Sequence, residues 1–119
     1  MKRIYEIPKP VSVNDYYANN KGGRGKGRYV TKRGKTWRQA ALSYVGSQKP
    51  ELIQHRVRVR VELGEDAFSP NADSDNFIKC VLDMLKAAGV LIDDRRKFVK
   101  ASGAEWVPGD VCRVILEAA

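Results

Sequence analysis

The densest chemistry in this chain lies in the run Asn71 to Lys79 (NADSDNFIK), followed one predicted helix later by Asp93 and Asp94. Asp73 and Asp75 are separated by one residue at the entry to that helix. In an extended approach, side chains two apart point the same way. Two converging carboxylates repel each other unless a cation neutralises them. Magnesium suits such a pair, because it takes one or two carboxylates and keeps waters and phosphate oxygens as its other ligands. Lys79 follows Asp75 by four positions and shares its helix face. An ammonium there can meet a phosphate and stabilise charge in a transition state. Metal-assisted attack on a phosphodiester is the chemistry such a set can perform.

Asp94 joins this group only if the chain reverses. A helix over 76–88 advances about 20 Å at ~1.5 Å per residue, and an extended return from Gly89 to Asp94 covers about 20 Å at ~3.3 Å per residue. Helix out and strand back therefore bring Asp94 toward Asp73 and Asp75. Without reversal at Gly89, only a dimer partner completes the cluster. Each element also has a plainer reading. Asp73, Asp75 or Asn76 is a suitable helix N-cap. Asp93 and Asp94, before Arg95-Arg96-Lys97, make a solvated turn, and Asp83 reads as a surface residue paired with Lys79 or Lys86. The DxDN start lacks the glycine and glutamate of a calcium-binding loop, which excludes an EF-hand.

The chain around these residues is strongly basic, with a formal net charge of +8 over 119 residues. Between Asp15 and Glu51 no acidic residue occurs, while Lys21, Arg24, Lys26, Arg28, Lys32, Arg33, Lys35, Arg38 and Lys49 supply nine positive charges. Elsewhere 13 basic residues face 14 acidic ones, so the whole excess resides in one segment. Such a block binds phosphate backbones with an affinity that falls steeply with salt. Carboxylates amid a polyanion-binding surface make sense when a divalent cation lies between them and a phosphate.

The elements that must position these groups fit one domain over residues 1–119. Lys2 to Ile7 reads as a first strand, closed by Pro8 and Pro10. Val11 to Gly27 reads as a long glycine-rich loop. It lacks the GxxxxGK[ST] order of a nucleotide-binding loop. Gly27 to Thr31 forms a short strand or ribbon. A helix over Thr36 to Ser47, N-capped by Thr36, carries Trp37, Ala40, Ala41, Tyr44 and Val45 at helical spacing. Trp37 falls on that stripe and belongs to the core, which leaves Arg38 as the better phosphate contact. Arg56 to Gly64 alternates strictly, with Val57, Val59, Val61 and Leu63 facing inward. Its outward arginines favour a solvated face over a DNA track. The second helix runs from Asn76 to Ala88, stopped by Gly89. Two strands follow, Phe98 to Trp106 and Val111 to Glu117, joined at the Pro108-Gly109-Asp110 turn. The order implies an α+β fold: a small mixed or antiparallel sheet with two main helices packed on it.

Cys80 and Cys112 have no metal-site spacing and read as reduced structural thiols. His55 is the sole histidine, lies in no motif, and is assigned to the surface. No apolar run is long enough for a membrane span or a signal peptide, so cytoplasmic residence is the expectation.

Asp73-x-Asp75-Asn76-x-x-Lys79, an apolar helix, Gly89 and then Asp93-Asp94 resemble the RusA family of Holliday junction resolvases. The segment Asn14 to Tyr17 and Lys35-Thr-Trp-Arg38 echo that family's Asn-x-Tyr-Tyr and Gly-x-x-Tyr-Arg elements. The resemblance implies a phage- or prophage-borne homodimer that nicks four-way DNA junctions symmetrically in recombination and repair, using Mg²⁺ or Mn²⁺. By residue, it implies Asp73, Asp75 and Asp94 as catalytic metal ligands, Lys79 as the catalytic lysine, and Asp93 in the neighbouring acidic position. Asn14 joins the basic block as a DNA contact. Arginines that directly precede the first aspartate in a member of that family are absent here, where Phe68 to Ala72 stand, so local backbone binding is either weaker or taken over by the Lys21 to Arg38 block. The competing expectations are a nuclease for other branched DNA and a DNA-binding accessory protein that does not cut.

Overall fold

The computed structural model describes residues 1–19 and 27–119. Their elements are β1 (Lys2–Ile7), a helical turn α1 (Val13–Tyr16), β2 (Tyr17–Asn19), β3 (Arg28–Val30), α2 (Lys32–Gly46), β4 (Val57–Gly64), α3 (Lys79–Ala87), β5 (Val99–Val107) and β6 (Cys112–Ala118). Short 3₁₀ turns occupy Glu65–Ala67 and Ser74–Phe77. Four strands form one sheet in the order β1-β6-β4-β5, and β2 pairs with β3 in a separate two-stranded ribbon. The fold is α+β, as expected, and the main sheet is mixed. β6 runs antiparallel to both β1 and β4, whereas β5 runs parallel to β4. A parallel pair needs a crossover, and α3 lies within the segment that makes it.

Strict alternation in β4 does what its pattern dictates. Val57, Val59, Val61 and Leu63 are buried, while Arg58 and Arg60 are exposed. Trp37, Ala41 and Val45 of α2 and Val81, Met84 and Leu85 of α3 complete the same core. Arg60 pairs with Glu105 of β5 across 3.6 Å, consistent with an open sheet face and not a continuous cationic track. Cys80 and Cys112 are free and buried, and His55 is exposed.

Three expectations are corrected. The stretch Val11 to Gly27 is not all loop, because Ser12 caps α1 by accepting from the Asp15 amide and β2 follows directly. Elements of three and four residues are too short to show a period. Helix α2 starts at Lys32, not Thr36: the Thr31 hydroxyl caps it by accepting from the Gly34 amide at 3.0 Å. The first turn, Lys-Arg-Gly-Lys, carries no apolar stripe, so only the cap announces it. The second helix is divided, with the 3₁₀ turn Ser74–Phe77 preceding α3.

The Pro108–Asp110 turn leads β6 away from β5 and across the end of β4. A Cβ at Gly64 would meet the Asp110 carbonyl carbon at 2.5 Å, so this crossing requires glycine. The Asp66 amide donates to the Gly109 carbonyl at 2.9 Å and fixes it.

Candidate active site

The loop before the aspartates is anchored by aromatic packing. Phe68 stands edge-on to Phe77 at 4.9 Å and to Trp106 of β5 at 5.1 Å between ring centroids. Lys9 Nζ lies 4.8 Å from the centre of the Phe68 ring. These contacts hold both ends of the segment that carries Asp73 and Asp75. Asp73 is extended, and its Oδ1 accepts from the Asp75 amide at 3.2 Å. It is thus the N-cap of the 3₁₀ turn. Both carboxylates are exposed.

Gly89 reverses the chain, with φ at +73°, a conformation that costs glycine little. The Val90 and Leu91 amides both donate to the Leu85 carbonyl, at 3.0 and 3.2 Å. Leu91 then bridges to Ile53. The chain therefore folds back and delivers Asp94 to α3. Asp94 Oδ2 lies 3.3 Å from Lys79 Nζ and 3.5 Å from Lys86 Nζ. Burial disfavours the Asp94 carboxylate, but the Lys79 hydrogen bond and the charges of Lys79 and Lys86 outweigh it and hold its pKa below the usual value. Asp93 turns to Arg95, accepting from its backbone amide at 3.1 Å and from Nε at 2.8 Å.

The structure thus joins Asp94 to Lys79 and places Asp73 and Asp75 just ahead of the same helix. It does not gather the three carboxylates into one cluster. Among the described residues no three His, Cys, Asp or Glu side chains stand close enough to share a metal ion. The donor set itself, three carboxylates without a sulfur or imidazole, fits a hard cation such as Mg²⁺. Asp73 and Asp75 are open to solvent, as an ion retaining waters and a phosphate oxygen requires.

Asp83 departs from expectation. It pairs with neither Lys79 nor Lys86: its Oδ2 accepts from the Tyr16 hydroxyl and from Arg38 Nη1, the latter at 3.0 Å. Tyr16 is fully buried. Burial first, and then the hydrogen bond to Asp83, push its phenol far above the usual range. Arg38 is consequently tied to α3 through Nη1. Spacing alone pointed Asp83 at its helix neighbours, and nothing local signals partners 67 and 45 residues away.

Of the remaining basic residues, Lys32, Arg33 and Lys35 are exposed on α2 and Asn14 on α1. Arg33 lies 3.4 Å from Asp15. Lys35 and Arg38 line a cavity of about 320 Å³ with Gln39 and Leu42. Arg28 stacks over the Tyr17 ring at 4.7 Å, anchoring the start of β3. Lys21, Arg24 and Lys26 lie outside the described residues. No helix among those described is long and apolar enough to cross a membrane.

The family described as "Endodeoxyribonuclease RusA" matches residues 8–117. A relative from Enterobacteria phage HK97, named "Crossover junction endodeoxyribonuclease rusA", is 28% identical over 93 residues, covering 77% of this chain and 73% of the relative. The family match takes in β2–β3, the basic helix, the aspartate turn and the Asp94 return together, and the chain belongs to the RusA family of endodeoxyribonucleases.

Proposed function

We propose that this protein is a divalent-cation-dependent nuclease that resolves four-way DNA junctions by paired nicks, acting as a homodimer. The observation that carries the proposal is the return of Asp94 to Lys79, beside the turn bearing Asp73 and Asp75, in a chain matched by the RusA family over residues 8–117. The name of the phage HK97 relative supports the crossover junction as substrate.

Asp73, Asp75 and Asp94 are the residues that would hold Mg²⁺, with Mn²⁺ as substitute, and an ion shared by all three would have to draw together carboxylates that stand apart in the free chain. A bound ion of this kind supplies an activated water and a stabilised leaving oxygen. The remaining work falls to the chain itself. Lys79 neutralises the scissile phosphate, and its attachment to Asp94 keeps it at the site before DNA arrives. Lys32 and Lys35 on α2 supply backbone affinity, and the Arg38–Asp83–Tyr16 link fixes that helix against α3. The arginines and lysines select phosphate, not base, so preference for a junction comes from its shape.

A labelled synthetic four-way junction incubated with Mg²⁺ should yield symmetric nicks, and none in EDTA. Parallel flap and linear duplex substrates separate a resolvase from a nuclease of other branched DNA. Tight, Mg²⁺-indifferent binding without any nick would replace the proposal with a non-cleaving DNA-binding role.

A further inference from the structure

A cavity of about 220 Å³ opens where residues 9–12 after β1, the first turn of α2 and the loop leading to Asp73 meet. Phe68, Ala72 and Phe77 give it apolar walls, and the exposed Lys9, Asp15, Arg33 and Ser69 surround it. Ala72 directly precedes Asp73, and Phe77 closes the turn that Asp73 caps. The cavity therefore lies between the helix bearing Lys32 and Lys35 and the carboxylates. Asp15 is already engaged, by Arg33 at 3.4 Å and by the Ser12 hydroxyl at 3.3 Å. Lys9 has no carboxylate partner among the described residues, and its ammonium stands 4.8 Å from the centre of the Phe68 ring. An aromatic face holds an ammonium without neutralising it, so the N–H groups on its open side remain donors. Two cations thus face one carboxylate, and apolar walls concentrate the surplus positive field. Ser69 Oγ accepts from the Asn71 amide at 3.2 Å, which leaves its proton to donate.

We propose that this cavity seats a backbone phosphate of the bound DNA, with Lys9 as its principal contact and Arg33 and Ser69 completing the seat. The inference rests on the DNA-binding reading above and is independent of bound metal. The cavity has room for a phosphate and several waters, each of about 30 Å³. The Phe68 ring holds the ammonium in place before DNA arrives, so little side-chain freedom is lost on binding. A stacked base would have to displace Lys9 from that ring. Held here as well as at Lys79, a strand meets the aspartate turn at two points, which limits how its scissile bond can lie. The plainer alternative is that Lys9 only covers Phe68. That role needs the stem of the side chain and not its charge.

The test is binding of an uncut four-way junction in EDTA across a salt series, so that neither metal nor cleavage enters. Lys9→Met keeps a side chain able to pack on Phe68 and loses the charge. Its slope of log K against log salt should be shallower by up to about 0.9, the value for one phosphate. Its urea midpoint should stay near that of the wild type, and Lys9→Arg should restore the slope. A neutral methylphosphonate is then placed singly at each linkage around the crossover. One linkage should weaken binding by the wild type and leave Lys9→Met unaffected, and Arg33→Gln should blunt the effect of that same linkage. A wild-type slope in Lys9→Met, or one methylphosphonate profile shared by both proteins, would overturn the proposal. The same series on linear duplex separates the seat from the substrate. Equal affinity for duplex and junction would remove the junction as substrate and leave the Lys9 difference to be read. No binding of either DNA by the wild type would overturn the DNA-binding reading, and the seat with it.

Discussion

Arg38 Nη1 lies 3.0 Å from Asp83 Oδ2, joining α2 to α3 across 45 residues of sequence. Both side chains are mostly shielded, at 31% and 22% exposure, and the same carboxylate takes the buried Tyr16 hydroxyl. Replacing Asp83 with Ala leaves a guanidinium and a buried phenol without their acceptor. The expected cost is about 2 kcal/mol, read from urea unfolding, with Asp83→Asn recovering part of it.

That pairing also separates two residues of the basic segment. Lys35 has no ion-pair partner among the described residues, so Lys35→Ala should lower the salt slope of DNA binding by about one unit with little change in stability. Arg38→Ala should do the reverse, losing stability with a smaller effect on the slope. Equal slope losses in the two variants would return Arg38 to the phosphate contacts.

Asp75→Asn should abolish nicking while junction affinity holds or rises, since a like charge next to DNA is removed. Lys79→Ala should lower both cleavage and affinity. The check is cleavage and gel-shift assays on one labelled junction. Full activity in Asp75→Asn would remove that residue from the site.

Two glycines in one helix should respond with opposite sign. A Cβ on Gly34 would meet the Tyr16 carbonyl oxygen at 2.7 Å, whereas none of the surroundings approach one on Gly46 within 4 Å. Gly34→Ala should therefore destabilise by roughly 1–3 kcal/mol through overpacking. Gly46→Ala should stabilise by up to about 1 kcal/mol through helix propensity. Thermal or urea unfolding of both distinguishes them.

Stability should fall at alkaline pH. Burial pushes the Cys80 thiol up to about 12, and burial together with Asp83 raises the Tyr16 phenol. Unfolded, these groups ionise near ~8.5 and ~10. Raised values in the fold mean that their contribution is whole below about pH 8 and is lost as pH climbs from there. Urea midpoints at pH 8 and pH 10.5 should differ, and Cys80→Ala with Tyr16→Phe should flatten the difference. Neither native thiol should react with a disulfide reagent at pH 8 until the protein is unfolded.

Legibility in the sequence followed periodicity. The eight residues of β4 and the amphipathic α3 announce themselves because each repeats its pattern several times. Gly89 and Thr31 show the two limits of local signals. Gly89 was readable as a helix stop because it follows an apolar run. Thr31 carries no such signal, because the turn it caps is wholly polar. The order β1-β6-β4-β5 was not readable, since the 108–110 turn looks the same whether β6 pairs with β5 or crosses to the far side of β4. At the site, the aspartate spacing and the reversal at Gly89 were local facts. The sharing of Asp94 between two lysines, and of Asp83 between Tyr16 and Arg38, depends on packing that no short window contains.

The position of β6 between β1 and β4 has a consequence for synthesis. A nascent chain that has reached only residue 110 possesses β4 and β5 but lacks β6, the one strand that pairs with β1 among the described residues. The first strand must wait, unpaired, until residues 112–118 have left the ribosome. Closing that loop is the kind of long-range pairing that slows folding and leaves strand edges open to other chains meanwhile. Removing β6 should therefore release β1 as well, although more than a hundred residues of sequence separate the two strands.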